Sequence, residues 1–133
     1  MVNNILIPPP LKPGDSIGII APAGGVRDED LITKGIATLE RLGFSVICPC
    51  RPWPGCGYFS DTDENRGKEF NRLLVDPTVK ALVSMRGGYG CLRMLEYVDI
   101  KAVISNPKYL VGFSDITVLQ NVLWAKTGLI SLH

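Results

Sequence analysis

The sequence predicts an α/β fold in which a parallel sheet is flanked by helices on both faces, giving three layers. Two observations carry this prediction. Short, continuous apolar runs alternate with longer segments that have helical spacing. The helical segments also begin and end with residues that commonly cap helices. Continuous apolar runs are typical of strands buried on both faces, and helices that join parallel strands form right-handed crossovers.

The chain is expected to begin with an extended arm over residues 1–14, because the prolines from Pro8 to Pro10 are incompatible with a helix. The α/β domain then covers residues 15–133. Its first strand is predicted at Ser16 to Ala21, where apolar residues follow one another without interruption.

The first helix is predicted from apolar residues at helical spacing, which are Leu31, Ile32, Ile36, Leu39 and Leu42. Acidic residues at 28–30 precede this segment and Gly43 follows it, as expected at the two ends of a helix. The second strand is predicted at 44–48. A long surface loop should follow over 49–58, since this stretch holds three prolines and two glycines.

The alternation continues to the end of the chain. We predict a helix over 63–75, a strand over 79–84, a helix over 91–97, a strand over 109–113 and a helix from 115 that Gly128 ends.

The composition is that of an ordinary globular protein, with 46% apolar and 20% charged residues among 133. The net charge of +1 and the scattered Lys and Arg residues argue against nucleic-acid or anionic-membrane binding. The longest apolar stretch, 17–26, is interrupted by Pro22 and glycines and is too short to span a bilayer. The amino-terminal residues lack the pattern of a secretory signal, so a cytoplasmic location is expected.

The four cysteines do not have the spacing of a metal site. Cys48, Cys50 and Cys56 follow a C-x-C-x5-C pattern with no histidine nearby, whereas structural zinc sites usually carry paired C-x(2–4)-C units. We therefore expect reduced thiols, with Cys91 as a small buried apolar residue, and neither metal nor cofactor.

Ser114 stands where a predicted strand turns into a predicted helix. A hydroxyl on such a turn is exposed beside unpaired backbone amides, as in the nucleophile elbow of hydrolases, although Ile116 replaces the second glycine of the G-x-S-x-G pattern. The alternative is that Ser114 caps the helix by accepting the amide of Ile116 or Thr117. The local pattern leaves both roles open.

The glycine-rich segment Arg86 to Gly90, between a strand and a helix, could bind an anion through converging backbone amides. It fails as a dinucleotide fingerprint and as a Walker loop, because Arg93 takes the place of the third glycine and no G-K-S/T ending follows. An oxyanion hole fits better, with the amides of Gly88 and Asp115 as the two donors beside Ser114.

Together, these segments resemble the LD-carboxypeptidase family of serine peptidases, which includes microcin C self-immunity proteins. The resemblance rests on Ile17 to Pro22, Met85 to Gly90, Gly112 to Thr117 and Thr127 to His133, in matching order across essentially the whole chain. It implies that Ser114 is the nucleophile and that the Gly88 and Asp115 amides form the oxyanion hole. The substrate-binding residues are left unknown.

The resemblance also implies that a glutamate and a histidine in a C-terminal domain complete the triad. That domain is expected as a partner and is absent here, and His133 matches an interdomain segment instead of the catalytic histidine. The chain alone is then expected to be inactive and to expose the face that the missing half covers, which would cause self-association. The full-length protein is expected to be a homodimer.

The implied reaction is removal of the terminal D-alanine from murein tetrapeptides in peptidoglycan recycling. A second hypothesis is cleavage of aminoacyl-nucleotide conjugates, for which Trp53 or Tyr58 could stack on adenine, although loop packing explains both. Arg86 and Tyr89 are suspects for substrate contact outside the catalytic set. A third hypothesis, of another class, is a nucleotide- or anion-binding module that uses the Arg86 to Gly90 loop without covalent chemistry.

Overall fold

A four-stranded parallel sheet organises the computed structural model, which describes residues 4–48 and 53–133. The strands are β1 (Ser16–Ile20), β2 (Ser45–Ile47), β3 (Val79–Ser84) and β4 (Tyr109–Val111). Their order across the sheet is β2-β1-β3-β4, so the chain runs outward from β1 to one edge and then returns to build the other. The carboxyl ends of all four strands therefore point the same way.

Helices cover both faces of this sheet and confirm the three-layer prediction. They are α1 (Glu29–Arg41), α2 (Asp63–Val75), α3 (Cys91–Met94), α4 (Ile100–Ser105) and α5 (Ile116–Thr127). On one face, Ile17 and Ile19 of β1 pack with Ile32 of α1. On the other face, Ile20 and Leu82 join a larger core to which α2, α3, α4 and α5 contribute. Because successive side chains of β1 point to opposite faces of the sheet, this strand contributes to two separate cores.

Three element predictions need correction. The helix predicted over 91–97 is α3 followed by a 3-10 turn at Leu95–Tyr97. Helix α4 was not predicted, because its six residues bury only Val103 and are too few to show a periodic apolar pattern. Strand β4 ends at Val111, two residues early, because the chain bends away from β3 at Gly112 to form the turn that carries Ser114.

The segment after α5 closes the β4 edge of the sheet. The Leu132 amide donates to the Leu110 carbonyl at 2.9 Å, and the Gly112 amide donates to the Leu132 carbonyl at 3.1 Å. Leu6 joins this layer, because its amide donates to Gly128 O at 2.8 Å and its carbonyl accepts from the Ile130 amide at 2.9 Å. The segment around Leu132 therefore supplies hydrogen bonds that an exposed edge strand would lack, and Leu6 pairs with the residues just before that segment.

No helix in the described ranges has the length and apolar character needed to cross a membrane. Cys91 is fully buried in the larger core, as expected, and burial raises the pKa of its thiol. Cys50, one of the residues considered for metal binding, lies outside the described residues.

Arg66 of α2 is among the largest fully buried side chains in the described ranges, with 1% of its surface exposed. Its guanidinium donates to the carbonyls of Pro22 at 2.5 Å, Gly90 at 2.9 Å and Asp61 at 3.2 Å, and it pairs with Asp63. These carbonyls belong to three different loops at the carboxyl edge of the sheet. One buried charged side chain therefore holds these loops together.

Arg66→Ala is expected to lower the free energy of unfolding by about 3 kcal/mol or more, because breaking a buried ion pair leaves polar partners without hydrogen bonds. Lys68→Ala on the same helix is the matched control. Lys68 forms an exposed pair with Glu64, and its loss should cost less than about 1 kcal/mol. Urea denaturation measures both values, and similar costs would contradict the structural role given to Arg66.

Lys108 is a second cation with little exposed surface, at 8%. Its ammonium group donates to the carbonyls of Leu73 at 2.8 Å and Asp76 at 2.5 Å, where α2 ends. Burial lowers the pKa of Lys108 from its ordinary value of 10.5 to about 8, and the nearby Lys80 adds to this effect. The folded chain therefore releases this proton at a lower pH than the unfolded chain.

Between pH 8 and 10.5 the unfolded chain retains the Lys108 proton that the folded chain has lost, so this group contributes a stability that rises with pH. Lys108→Met should remove this rise. The measurement is the difference in urea midpoint between the natural chain and the variant at several pH values. Lys101→Met, at an exposed position on α4, is the control for replacing a lysine by methionine.

Candidate active site

Ser114 lies on a sharp turn between β4 and α5, with a backbone φ of 62°. It is the only residue other than glycine with a positive φ in the described ranges, and such a conformation is strained for an L-residue. Gly112 permits the turn, because a Cβ there would lie 2.9 Å from Ile116 Cγ2. This strand, strained serine and helix are the local geometry of a nucleophile elbow.

The Ser114 hydroxyl does not cap α5. The Ile116 amide donates to the Phe113 carbonyl at 3.3 Å, and the Thr117 amide donates to the Ser114 carbonyl at 3.0 Å. Backbone carbonyls therefore satisfy the amides that the capping hypothesis assigned to the hydroxyl. The residue is exposed, and its hydroxyl forms no hydrogen bond with any other residue that the structure describes. An exposed hydroxyl of this kind can receive a general base and a substrate carbonyl.

The glycine-rich loop that follows β3 lies directly against Ser114. A Cβ on Gly87 would be 3.0 Å from Ser114 Cβ and 3.2 Å from its Oγ, so the close approach requires glycine. Gly88 follows with a φ of 107°, and a Cβ there would meet the Tyr58 hydroxyl at 2.0 Å. The parallel sheet therefore brings the loops after β3 and β4 together at its carboxyl edge.

The two amides proposed from the sequence as oxyanion donors have no other partner in the described part of the chain. Neither the Gly88 nor the Asp115 N–H donates a hydrogen bond there. The Asp115 carboxylate accepts the Cys91 amide at 2.8 Å, which links the elbow to the first turn of α3. The three sequence-predicted residues, Ser114, Gly88 and Asp115, thus come from loops that touch one another, and their catalytic roles stay predictions.

The wall beside Gly88 contains aromatic residues that sequence reasoning did not connect. Tyr58 stacks on Tyr89 with ring centroids 4.4 Å apart, and the Arg86 guanidinium lies 5.6 Å from the Tyr58 centroid. Tyr89 is 56% exposed and next to Gly88 in sequence. The sequence shows only that residues 86–90 are neighbours in the chain. Tyr58 contacts them because the tertiary fold brings its loop against theirs.

Trp53 belongs to the core beneath this wall, so the structure supports the packing role and not adenine stacking. It is 6% exposed, and its indole N–H donates to Glu69 Oε1 at 2.8 Å. Burial raises the pKa of the Glu69 carboxyl, while the bond from Trp53 opposes that shift. This pair anchors the start of the loop that carries Tyr58.

The same loop is tied to the segment after β1. The Ser60 amide donates to the Ala23 carbonyl at 3.1 Å, and the Gly25 amide donates to the Tyr58 carbonyl at 2.9 Å. The Gly24 amide in turn donates to the Gly87 carbonyl at 3.1 Å. Three loops from three strand ends therefore form one continuous hydrogen-bonded surface around Ser114.

Residues 17–133 match the family model described as the LD-carboxypeptidase N-terminal domain. The chain belongs to this family. The chain spans about two fifths of the length of the curated relatives that it matches, with values of 38% and 43% for two of them.

Two relatives have solved structures that are similar to this chain. The microcin C7 self-immunity protein MccF of Escherichia coli is 35% identical over 131 residues, which cover 96% of this chain and 38% of MccF. A structure of MccF with aspartyl sulfamoyl adenosine has a TM-score of 0.90 at 34% identity, with 95% of this chain and 38% of that chain covered.

The second relative is a muramoyltetrapeptide carboxypeptidase from Oxalobacter formigenes. Its crystal structure has a TM-score of 0.77 at 33% identity, and the match covers 87% of this chain and 38% of that chain. Both relatives confirm the α/β fold and the family predicted from the sequence.

Gly88→Ala is expected to destabilise the LD-carboxypeptidase domain by about 2 kcal/mol or more, since it combines a positive φ with a clash against Tyr58. Gly57→Ala is the control, because its φ of 60° is also positive but no atom lies within 4 Å of the added Cβ. That control should cost about 1 kcal/mol.

A second substitution separates the clash from the backbone strain. In the Gly88→Ala background, Tyr58→Phe removes the nearest atom and should recover part of the lost stability, although the ring Cζ remains at 3.0 Å. Urea denaturation of the four proteins gives the values. Equal costs at Gly88 and Gly57, with no recovery, would show that the Tyr58 contact is unimportant.

Proposed function

We propose that this chain is the nucleophile-bearing part of a serine-type LD-carboxypeptidase that removes the terminal D-alanine from murein tetrapeptides. The observation that carries the proposal is Ser114, an exposed hydroxyl on a strained turn with Gly87 packed against it. Membership of the LD-carboxypeptidase family and the likeness to a muramoyltetrapeptide carboxypeptidase support the peptide substrate.

In the proposed reaction, a general base takes the Ser114 hydroxyl proton while Oγ attacks the carbonyl carbon of the scissile amide. The negative charge that develops on the carbonyl oxygen is stabilised by the N–H groups of Gly88 and Asp115. The C–N bond then breaks, the proton passes to the leaving nitrogen, and D-alanine departs. Water hydrolyses the resulting ester and restores the serine.

A further part of the protein is proposed to supply the base and the rest of the binding site. The supporting observations are the exposed Phe113, next to Ser114 with 70% of its surface accessible, and the length of the relatives. No hydrogen bond links Ser114 Oγ to a carboxylate or to His133 in the described residues. Without that further part, we expect the chain to show essentially no hydrolysis.

The second candidate is hydrolysis of an aminoacyl-nucleotide conjugate. The observation in its favour is the TM-score of 0.90 with MccF, whose structure holds aspartyl sulfamoyl adenosine, against 0.77 for the muramoyltetrapeptide carboxypeptidase. The same serine and the same amides would serve, because both reactions attack a carbonyl carbon. The two candidates differ in the group that leaves.

The test compares the full-length protein with its Ser114→Ala variant on a murein tetrapeptide and on an aminoacyl sulfamoyl adenosine. Removal of the nucleophile should lower release of D-alanine by at least about 10³-fold, since the covalent step is lost. D-Alanine is measured by chromatography. Preferred turnover of the nucleoside conjugate would favour the second candidate.

A serine-reactive phosphonate fluorophore checks the role of Ser114 without assuming a substrate. It should label the natural protein and spare Ser114→Ala, while Ser84→Ala, on a serine whose hydroxyl donates to the Arg86 carbonyl, should be labelled normally. Full activity and full labelling of Ser114→Ala would overturn the proposal. Nucleotide binding without any labelling would instead indicate a non-covalent binding module.

A further inference from the structure

A cavity of about 560 Å³ lies beside the glycine-rich loop and is lined by Arg27, Tyr58 and Arg86. Its remaining walls come from Gly25, Val26, Asp28 and Leu31, the segment between β1 and α1. Two arginines and one aspartate give the cavity lining a net positive charge, and the Tyr58 hydroxyl lies against Gly88. None of its charged side chains has a part in the hydrolytic steps described above.

A short series of contacts joins this cavity to Ser114. The Cβ position of Gly87 is 3.2 Å from Ser114 Oγ, and the Gly87 carbonyl is 3.1 Å from the Cβ position of Gly24. That same Gly24 position is 3.3 Å from Arg86 Nε. Arg86, Gly87 and Gly88 are consecutive. The Arg86 guanidinium and the Gly88 amide, the proposed oxyanion donor, therefore belong to one turn and flank Gly87.

The two cavity arginines lack an acidic partner among the residues that the structure describes. Arg86 Nη1 donates to the Gly25 carbonyl at 2.7 Å, and Arg27 Nη2 donates to the Gly57 carbonyl at 3.0 Å. By contrast, Arg66 and Arg93 both pair with Asp63. Carbonyl contacts fix the cavity guanidinium groups in place but leave their charge uncompensated.

The one carboxylate in the cavity wall is already engaged. Asp28 Oδ1 accepts the amides of Asp30 at 2.9 Å and Leu31 at 3.3 Å, where it caps α1. Each arginine has N–H donors beyond the one bound to a carbonyl, and a guanidinium can hold a carboxylate through two parallel hydrogen bonds. A planar anion of carboxylate size therefore matches the free donors and the uncompensated charge.

We propose that Arg86, assisted by Arg27, binds the α-carboxylate of the amino acid that leaves when Ser114 is acylated. This inference rests on the proposed peptidase function and assigns its leaving-group subsite. The carboxylate of a C-terminal residue is separated from the scissile nitrogen by only one carbon, so its binding group must lie close to the nucleophile. Arg86 directly precedes Gly87, whose Cβ position lies 3.2 Å from Ser114 Oγ, so it starts from the loop that is packed against the nucleophile. Selection for a free carboxylate is the property of an exopeptidase.

The experiment uses the full-length protein and two tetrapeptides, one with a free terminal carboxylate and one with a terminal carboxamide. The natural enzyme should process the acid roughly 10- to 100-fold better in kcat/KM, as expected for a charge-assisted pair. Arg86→Gln should lose this factor on the acid and change little on the amide. Arg27→Gln should give a smaller loss in the same direction.

Three controls separate binding from structure. Arg41→Gln, at an exposed arginine on α1 whose guanidinium donates to the Thr38 hydroxyl, should leave both substrates unaffected. Arg86→Lys retains a positive charge without the bidentate geometry and should lose less than Arg86→Gln on the acid. Thermal unfolding shows whether each variant is folded, and Arg86→Lys decides the question if Arg86→Gln does not fold.

The outcomes distinguish a failure of the carboxylate subsite from a failure of the proposed peptidase function. If Arg86→Gln lowers turnover of acid and amide equally, Arg86 only supports the loop and the subsite is refuted while the peptidase function stands. Discrimination that is unchanged in Arg86→Gln and Arg86→Lys also refutes the subsite. If Ser114→Ala releases D-alanine at the natural rate, the peptidase function itself fails.

Discussion

The buried guanidinium of Arg66 is the interaction on which the carboxyl edge of the sheet depends. It binds carbonyls of the loops after β1 and β3 and the loop before α2, and the Phe59 ring lies 4.8 Å from it. A charge with 1% exposure must be fully hydrogen-bonded to be tolerated. The three loops are therefore held together by a group whose removal would leave their carbonyls without hydrogen-bond donors.

This fixed edge makes the strained turn at Ser114 possible. A non-glycine residue with φ of 62° persists only when its surroundings determine its conformation. Because Gly112 and Gly87 have no side chains, Ile116 packs closely against Gly112 and Ser114 against Gly87. The Asp115 carboxylate accepts a hydrogen bond from the first amide of α3. The surrounding packing offsets the strain, and the result is an accessible hydroxyl against which Gly87 is packed.

Sequence reasoning recovered the strands and long helices because their signals are local. Apolar runs such as that of β1 mark buried strands, and the capping residues around α1 mark its ends. It missed α4, which is too short to show a period, and it gave Arg66 no special role although this residue shares the buried face of α2 with Phe70, Leu73 and Leu74. A charged residue at a core position of α2 was the sequence signal that could have revealed the structural role of Arg66.

The order and chemistry of the motifs, including Ser114 and the glycine-rich loop, were determined by the sequence alone, because turn-forming and helix-breaking residues act on their immediate neighbours. Only the tertiary structure decided which groups meet. Gly87 lies against Ser114, Tyr58 against Gly88 and Arg86 beside Gly24, across separations of roughly 25 to 60 residues in the chain. Such contacts depend on strand order and on packing, and no local pattern encodes the distance between two loops.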